Sequence, residues 1–237
     1  MNKIYAFSDV HGMYNLWKQI DEFCDETDRI VFLGDAADRG PDGLKIILEL
    51  LSDKRVTYLK GNHEDMLVKV GSEVLEGHTS SIQLWYENGG EPTVAALLRE
   101  TEQTAWRIIR KLDKLPEVAE YTNKEGKKLI ISHAGQPVTD VDKYEMWDGG
   151  GIDYLWDREH MHWDRDEDIT DDMPIIIHGH TPVPALPHYG VFPINYYKIC
   201  KYGKGHKIDI DLGCFATKKI ALLDLDTLEP IYFEERI

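Results

Sequence analysis

Short apolar runs punctuate this 237-residue chain, and most of them stop at glycine or a polar residue. Lys3-Ile4-Tyr5-Ala6-Phe7 reads as a buried strand that ends in Ser8-Asp9-Val10-His11-Gly12. Ile30-Val31-Phe32-Leu33 reads as a second, ending at Gly34 and followed by Asp35-Ala36-Ala37-Asp38-Arg39-Gly40-Pro41. Val56-Thr57-Tyr58-Leu59 is a third, followed by Lys60-Gly61-Asn62-His63-Glu64. Helical spacing fills the gaps from Met13 to Cys24 and from Gly43 to Leu51, where Pro41 suits a first turn. Three successive strand–helix units predict a parallel, doubly wound sheet. Each unit sets polar residues at the carboxyl end of its strand, where open α/β sheets place ligands.

The remainder is more varied. Pro92 to Leu115 carries Val94, Leu97, Leu98, Trp106, Ile109 and Leu112 at helical spacing, so the segment 66–127 is expected to form a helical cap whose apolar residues pack. The tract Ile82 to Gly90, with Thr93 after it, is read as part of that packing. Leu129-Ile130-Ile131 and Pro174-Ile175-Ile176-Ile177 are further buried strands. They run into Ser132-His133-Ala134-Gly135 and His178-Gly179-His180-Thr181-Pro182. Segments 189–194, 196–201, 207–211, 220–226 and 230–235 alternate and predict a β-meander. Arg158 to Asp172 is highly charged, and its His160 and His162 are read as belonging to a solvated loop.

A net charge of −16 argues against nucleic acid as a partner, because that needs a basic face. It leaves room for a small anion where metals and arginines make a site locally positive. Cys24, Cys200 and Cys214 show no C-x-x-C spacing, which points to a reducing compartment and away from a zinc finger. No apolar run reaches the ~20 residues of a membrane span. No secretory signal is visible at the N-terminus, and a cytoplasmic location is expected.

Asp9 and His11, two apart in extended backbone, would face the same side and could grip one cation. Asp35 has two oxygens and could bridge two cations, and Arg39 could fork onto a phosphate. Asn62 offers an amide oxygen beside the His63 imidazole.

Asp-x-His-Gly, Gly-Asp-x-x-Asp-Arg-Gly and Gly-Asn-His-Glu in this order resemble the signature of the calcineurin-like metallophosphoesterases. Within that superfamily they look like the phosphoprotein phosphatase branch, including small bacterial and phage serine/threonine phosphatases. Ser132-His133-Ala134-Gly135 and Gly179-His180-Thr181 are similar to two more of its elements, and Leu155-Trp156-Asp157-Arg158 resembles its Leu-Trp-x-Arg element. Pro182 stands where many relatives carry another histidine, which favours the phosphatase branch.

The resemblance implies an α/β, four-layer fold: two packed mixed β-sheets flanked by helices, with a helical cap insertion, in one domain over residues 1–237. It implies two divalent metal ions, with manganese first and iron or zinc as alternatives. Asp9, His11 and Asp35 would hold the first ion, and Asp35, Asn62, His133 and His180 the second. A hydroxide bridging the ions would attack phosphorus. His63, oriented by Asp38, would protonate the leaving group, and Arg39 and Arg158 would hold the phosphate.

The expected activity is hydrolysis of phosphoserine or phosphothreonine in a phosphoprotein or phosphopeptide. A second reading is a symmetrical bis(5'-nucleosyl)-tetraphosphatase acting on diadenosine tetraphosphate, with Trp85, Tyr86 or Trp156 as candidate stacking rings. A third is a non-catalytic, metal-stabilised scaffold. Asp209 and Asp211 resemble the family's Ile-Asp-x-Gly region and are given no ligand role.

Overall fold

The computed structural model describes residues 2–136, 153–158, 160–163 and 168–235. Side chains of 162 and 163 and the acidic stretch 164–167 lie outside the described residues. Two five-stranded sheets organise the chain. The first holds β1 (Ile4–Phe7), β2 (Arg29–Phe32), β3 (Val56–Tyr58), β9 (Lys219–Asp224) and β10 (Pro230–Glu234), in the order β10-β9-β1-β2-β3. The second holds β4 (Val118–Thr122), β5 (Lys128–Ser132), β6 (Ile175–His178), β7 (Cys200–Tyr202) and β8 (Lys207–Asp209), in the order β4-β5-β6-β8-β7. β1, β2 and β3 are parallel, as are β5, β6 and β8, while β9, β10, β4 and β7 run antiparallel to their neighbours.

The apolar runs are explained by burial on both strand faces, which alternate with period two. Ala6, Val31 and Leu33 of the first sheet pack against Leu129, Ile131, Ile175 and Ile177 of the second. The alternate residues Tyr5, Phe7, Ile30 and Phe32 face the helices α1 (Tyr14–Phe23), α2 (Gly43–Leu50), α3 (Asn62–Leu75), α5 (Glu91–Leu97) and α6 (Glu102–Asp113). Phe7 stacks on Trp17 of α1 with centroids 5.6 Å apart. Ile130 and Ile176 face outward from the second sheet, against Ile169 and Met173. The result is two packed mixed sheets flanked by helices, as the expected α/β fold requires.

Two expectations about elements need correction. Segment 66–127 is helical through α3, α4 (Ile82–Glu87), α5 and α6, but ends in β4, the edge strand paired with β5. The meander is not continuous either. Val183–Tyr189 is a 3₁₀ helix, no strand spans 189–194, and β7 is only three residues long. Pro184, Pro187 and Pro193 withhold the N–H groups a ladder needs there. β7–β8 and β9–β10 are antiparallel pairs in different sheets. Among the described residues no helix is long and apolar enough to cross a membrane.

Candidate active site

The polar loops that follow β1, β2, β3, β5 and β6 meet at the carboxyl ends of both sheets. The first two run side by side: Asp9 N–H donates to the Gly34 carbonyl at 3.0 Å and His11 N–H to the Asp35 carbonyl at 2.9 Å. The backbone there is unusual. Of nine non-glycine residues with positive φ among the described residues, six are Asp9, His11, Asp35, Asp38, Arg39 and His180. Each such conformation costs on the order of 1 kcal/mol, a cost retained where geometry serves function. Asp9 and His11 therefore converge through a left-handed turn and not through the extended alternation expected. Glycine is required where loops touch. A Cβ on Gly179 would collide with Ser8 and Asp9, and one on Gly61 with Asp35.

On one side, Asn62 Oδ1 lies 2.8 Å from His133 Nε2 and 3.0 Å from His180 Nδ1, and the two ring nitrogens are 3.1 Å apart. Asp35 Oδ2 is 3.5 Å from His133 Nε2. His133 Nδ1 donates to the Leu33 carbonyl at 2.9 Å, so in the neutral ring Nε2 is a lone pair. Acceptors gathered this closely fit a cation, because ligands about 2.1 Å from one ion stand about 3 Å apart.

On the other side, Asp35 Oδ2 is 3.6 Å from His11 Nε2, whose Nδ1 faces the Ala37 carbonyl at 2.9 Å. Asp9 Oδ1 is 3.9 Å from His11 Nε2, while its Oδ2 accepts from Ser8 Oγ and from His180 N–H. Asp35 thus belongs to both clusters, Asp35-His133-His180 and His11-Asp35-His63. The backbone carbonyls that engage the outer nitrogens of His11 and His133 fix tautomer and ring orientation, as around bound metals.

Burial pushes His11 and His180 well below the ordinary imidazole value and lowers His133, so all three are neutral, the form that binds cations. Burial also pushes the Asp35 carboxyl well above the usual range, with the charges of Asp9 and Glu64 adding to it. A cation against the carboxylate would restore its ionised form. These features fit a dinuclear divalent-metal centre.

His63 enters the cluster of His11 and Asp35 geometrically, with Nε2 3.8 Å from Asp35 Oδ2. Its other nitrogen is occupied: Nδ1 faces Asp38 Oδ2 at 2.6 Å. Burial alone would lower the His63 pKa, but the charge of Asp35 and the hydrogen bond to Asp38 outweigh it and raise it. Arg39 Nη2 reaches within 3.4 Å of His63 Nε2 from an exposed position. Arg158 is half-buried and donates from Nε to Thr181 Oγ1 at 3.1 Å, beside His180. The ten residues singled out by sequence are thus gathered around one locus.

Other residues complete it that sequence reading passed over. Glu64, fully buried, accepts from the N–H groups of Asp35 (2.7 Å), Ala36 (2.8 Å) and Gly61 (3.0 Å), and from Tyr58 Oη (3.0 Å). It pins the loops after β2 and β3 together. The Ile82–Gly90 tract and Thr93 are more than packing. Trp85 Nε1 donates to Asp38 Oδ2 at 2.8 Å, Asp38 N–H to Thr93 Oγ1 at 2.9 Å, and Arg39 N–H to the Gly89 carbonyl at 2.8 Å. Trp85, fully buried, is thereby removed from the candidate stacking rings, whereas Trp156 is 40% exposed with its ring 6.2 Å from that of His180.

The model of the calcineurin-like phosphoesterase family matches residues 2–212. Serine/threonine-protein phosphatase 2 of Escherichia coli (strain K12) is 33% identical over 138 residues, 56% of this chain and 59% of that protein, so the chain spans less than two thirds of that relative. The asymmetrical bis(5'-nucleosyl)-tetraphosphatase PrpE of Anoxybacillus flavithermus is 27% identical over 82% of this chain and 84% of its own length. A solved cold-active protein tyrosine phosphatase, 16% identical, superposes with a TM-score of 0.61 over 99% of this chain and 76% of that one, which shows a shared fold. With two metal-competent clusters joined through Asp35 and a family match over most of its length, this chain belongs to the calcineurin-like phosphoesterases.

Proposed function

We propose that this protein is a metal-dependent phosphomonoesterase that removes phosphate from phosphoserine and phosphothreonine in proteins. The observation that carries this reading is the 2.6 Å contact between Asp38 and His63 at the edge of the metal clusters. A serine or threonine alkoxide is a poor leaving group and needs a proton, whereas a nucleotide leaving through a phosphate oxygen does not. An imidazole with a raised pKa, held by a carboxylate, answers the first need.

When bound, a pair of divalent ions supplies Lewis-acid charge to the phosphate and a nucleophile derived from water. Asp9, His11 and Asp35 would hold one ion, and Asp35, Asn62, His133 and His180 the other. Oxygen and imidazole donors without thiolate support manganese, iron or zinc, of which we favour manganese. Asp38 accepts from Nδ1 of His63 and favours the imidazolium, whose second proton then sits on Nε2, the nitrogen facing Arg39 and Asp35. That proton passes to the leaving oxygen as the P–O bond breaks, giving alcohol and inorganic phosphate. Arg39 and Arg158 bind the remaining phosphate oxygens, whose charge grows in the transition state. Arg39 Nη2 stands 3.4 Å from His63 Nε2, so a phosphate bound between the two would meet the guanidinium and the imidazole together. Three buried free cysteines support a reducing, cytoplasmic location.

A second reading is hydrolysis of dinucleoside tetraphosphates. The long alignment with the tetraphosphatase PrpE favours it, and exposed Trp156 offers a base a stacking face. The deciding experiment is manganese-dependent turnover of a phosphothreonine peptide beside diadenosine tetraphosphate, with products resolved. Phosphate from the peptide alone supports the phosphatase. ADP, or ATP with AMP, from the dinucleotide alone replaces that reading.

A further inference from the structure

His160 sits in an acidic stretch, yet it is fully buried, as is His178. Their rings meet edge to face at 5.2 Å. Tyr202 Oη bridges them, 2.7 Å from His178 Nε2 and 3.5 Å from His160 Nε2. His160 Nδ1 faces Asp157 Oδ2 at 3.1 Å, and its carbonyl accepts from the buried Lys207 Nζ at 2.7 Å. The turn after the metal-ligand candidate His133 runs against the same ring, since a Cβ on Gly135 would stand 2.9 Å from His160 Nε2. Between Asp157 and His160 lies Arg158, whose carbonyl accepts from Met161 N–H at 3.2 Å.

We infer that His160 is a positioning residue for Arg158. The inference rests on the reading above that Arg158 holds substrate phosphate. An arginine side chain carries about 2 kcal/mol of rotamer entropy, so a useful guanidinium needs a fixed backbone. The helix that follows it, α7 (His160–Trp163), is a single turn and is too short to hold itself. Its anchor is His160: Asp157 on one side, and on the other the Tyr202 and Lys207 side chains of the β7–β8 pair. The polar grip aims Arg158 at Thr181 and the His133–His180 cluster. In this inference Asp157, His160, Tyr202 and Lys207 act on substrate only through Arg158.

The test is calorimetric titration of inorganic phosphate into the manganese-loaded full chain, with metal content and melting temperature measured in parallel. Arg158→Ala and His160→Ala are each expected to weaken phosphate binding by about tenfold, the scale of one charge-assisted contact. The double variant should be no weaker than Arg158→Ala alone. His160→Asn, whose Nδ2 can stand in for Nδ1 toward Asp157, should restore most of the affinity. A purely structural role would give losses that add in the double variant, and that result, or unchanged affinity in His160→Ala, overturns the inference. Should His160→Ala fail to fold, Tyr202→Phe carries the same comparison with an expected loss of about threefold, and wild-type affinity there overturns it. Undiminished phosphate binding by Arg158→Ala would overturn the underlying role of Arg158 instead.

Discussion

Trp85 Nε1 donates to Asp38 Oδ2 at 2.8 Å, the same oxygen that faces His63 Nδ1 at 2.6 Å. The indole comes from 47 residues further along the chain and fixes the carboxylate that orients the proposed acid. Trp85→Phe keeps most of the ring volume and removes the donor. Stability should fall by about 1–2 kcal/mol. Turnover of alkyl phosphates should fall about tenfold with little change in KM. Steady-state kinetics decide: a change confined to KM would mean that Trp85 serves substrate binding and not His63.

His63→Asn separates the acid from a metal ligand. Retained metal, a loss on alkyl phosphates of about 10²–10⁴, and a much smaller loss on aryl phosphates are expected. Equal losses on both esters would reject the acid role, and loss of an ion by elemental analysis would make His63 a ligand.

His180→Ala should leave a single tightly bound ion in place of a pair, because Asn62 and His133 lose their converging partner. Elemental analysis of the manganese-loaded protein reads this directly. An unchanged pair would remove His180 from the ligand set.

Glu64→Gln is nearly isosteric but takes away the charge that accepts from the N–H groups of Asp35, Ala36, Ala37 and Gly61 and from the Tyr58 hydroxyl. A loss of about 2–3 kcal/mol is expected, visible as a melting temperature lower by roughly 5–10 °C. Metal affinity should drop with it, since Asp35 and Asn62 stand on the loops that Glu64 joins. Wild-type melting and metal content together would refute this.

Arg55 should make the fold pH-sensitive through its two carboxylate partners. It binds Asp21 and Asp53 and donates to the Cys24 carbonyl at 3.1 Å. Burial opposes ionisation of both carboxyls, but hydrogen bonds from Lys18 and Arg55 to Asp21, and from Arg55 to Asp53, outweigh it and hold them below the ordinary value. Carboxyls depressed in the folded state stabilise it above their unfolded pKa of about 4 and lose that contribution as pH falls through the folded values. The melting-temperature gap between wild type and Arg55→Met should therefore be widest near neutral pH and close in acid. A constant gap from about pH 7 to about pH 3 would contradict it.

The strand-end motifs, together with the family resemblance they carry, singled out Asp9, His11, Asp35, Asn62, His133 and His180 as candidates. Buried strands announce themselves as apolar runs, and residues just past their carboxyl ends must lie at one edge of a sheet. Those features are local, and so they were legible in the sequence along with the α/β class. The support around them was not. Glu64 looked like the last letter of a motif, Trp85 and Thr93 like helix packing, and His160 like part of a solvated loop. Each acts through contacts separated by tens of residues, as in Glu64 with Asp35, Thr93 with Asp38 and Tyr202 with His160. Even the pairing of Asp9 with His11 came about through positive φ, which the loops impose on each other and which residue type alone does not announce. The sequence by itself determined which side chains could ligate and on which strand ends they stand. Only the tertiary structure decided which nitrogen of His11, His63 and His133 faces the site, because that depends on the carbonyl or carboxylate that long-range packing sets against the other one.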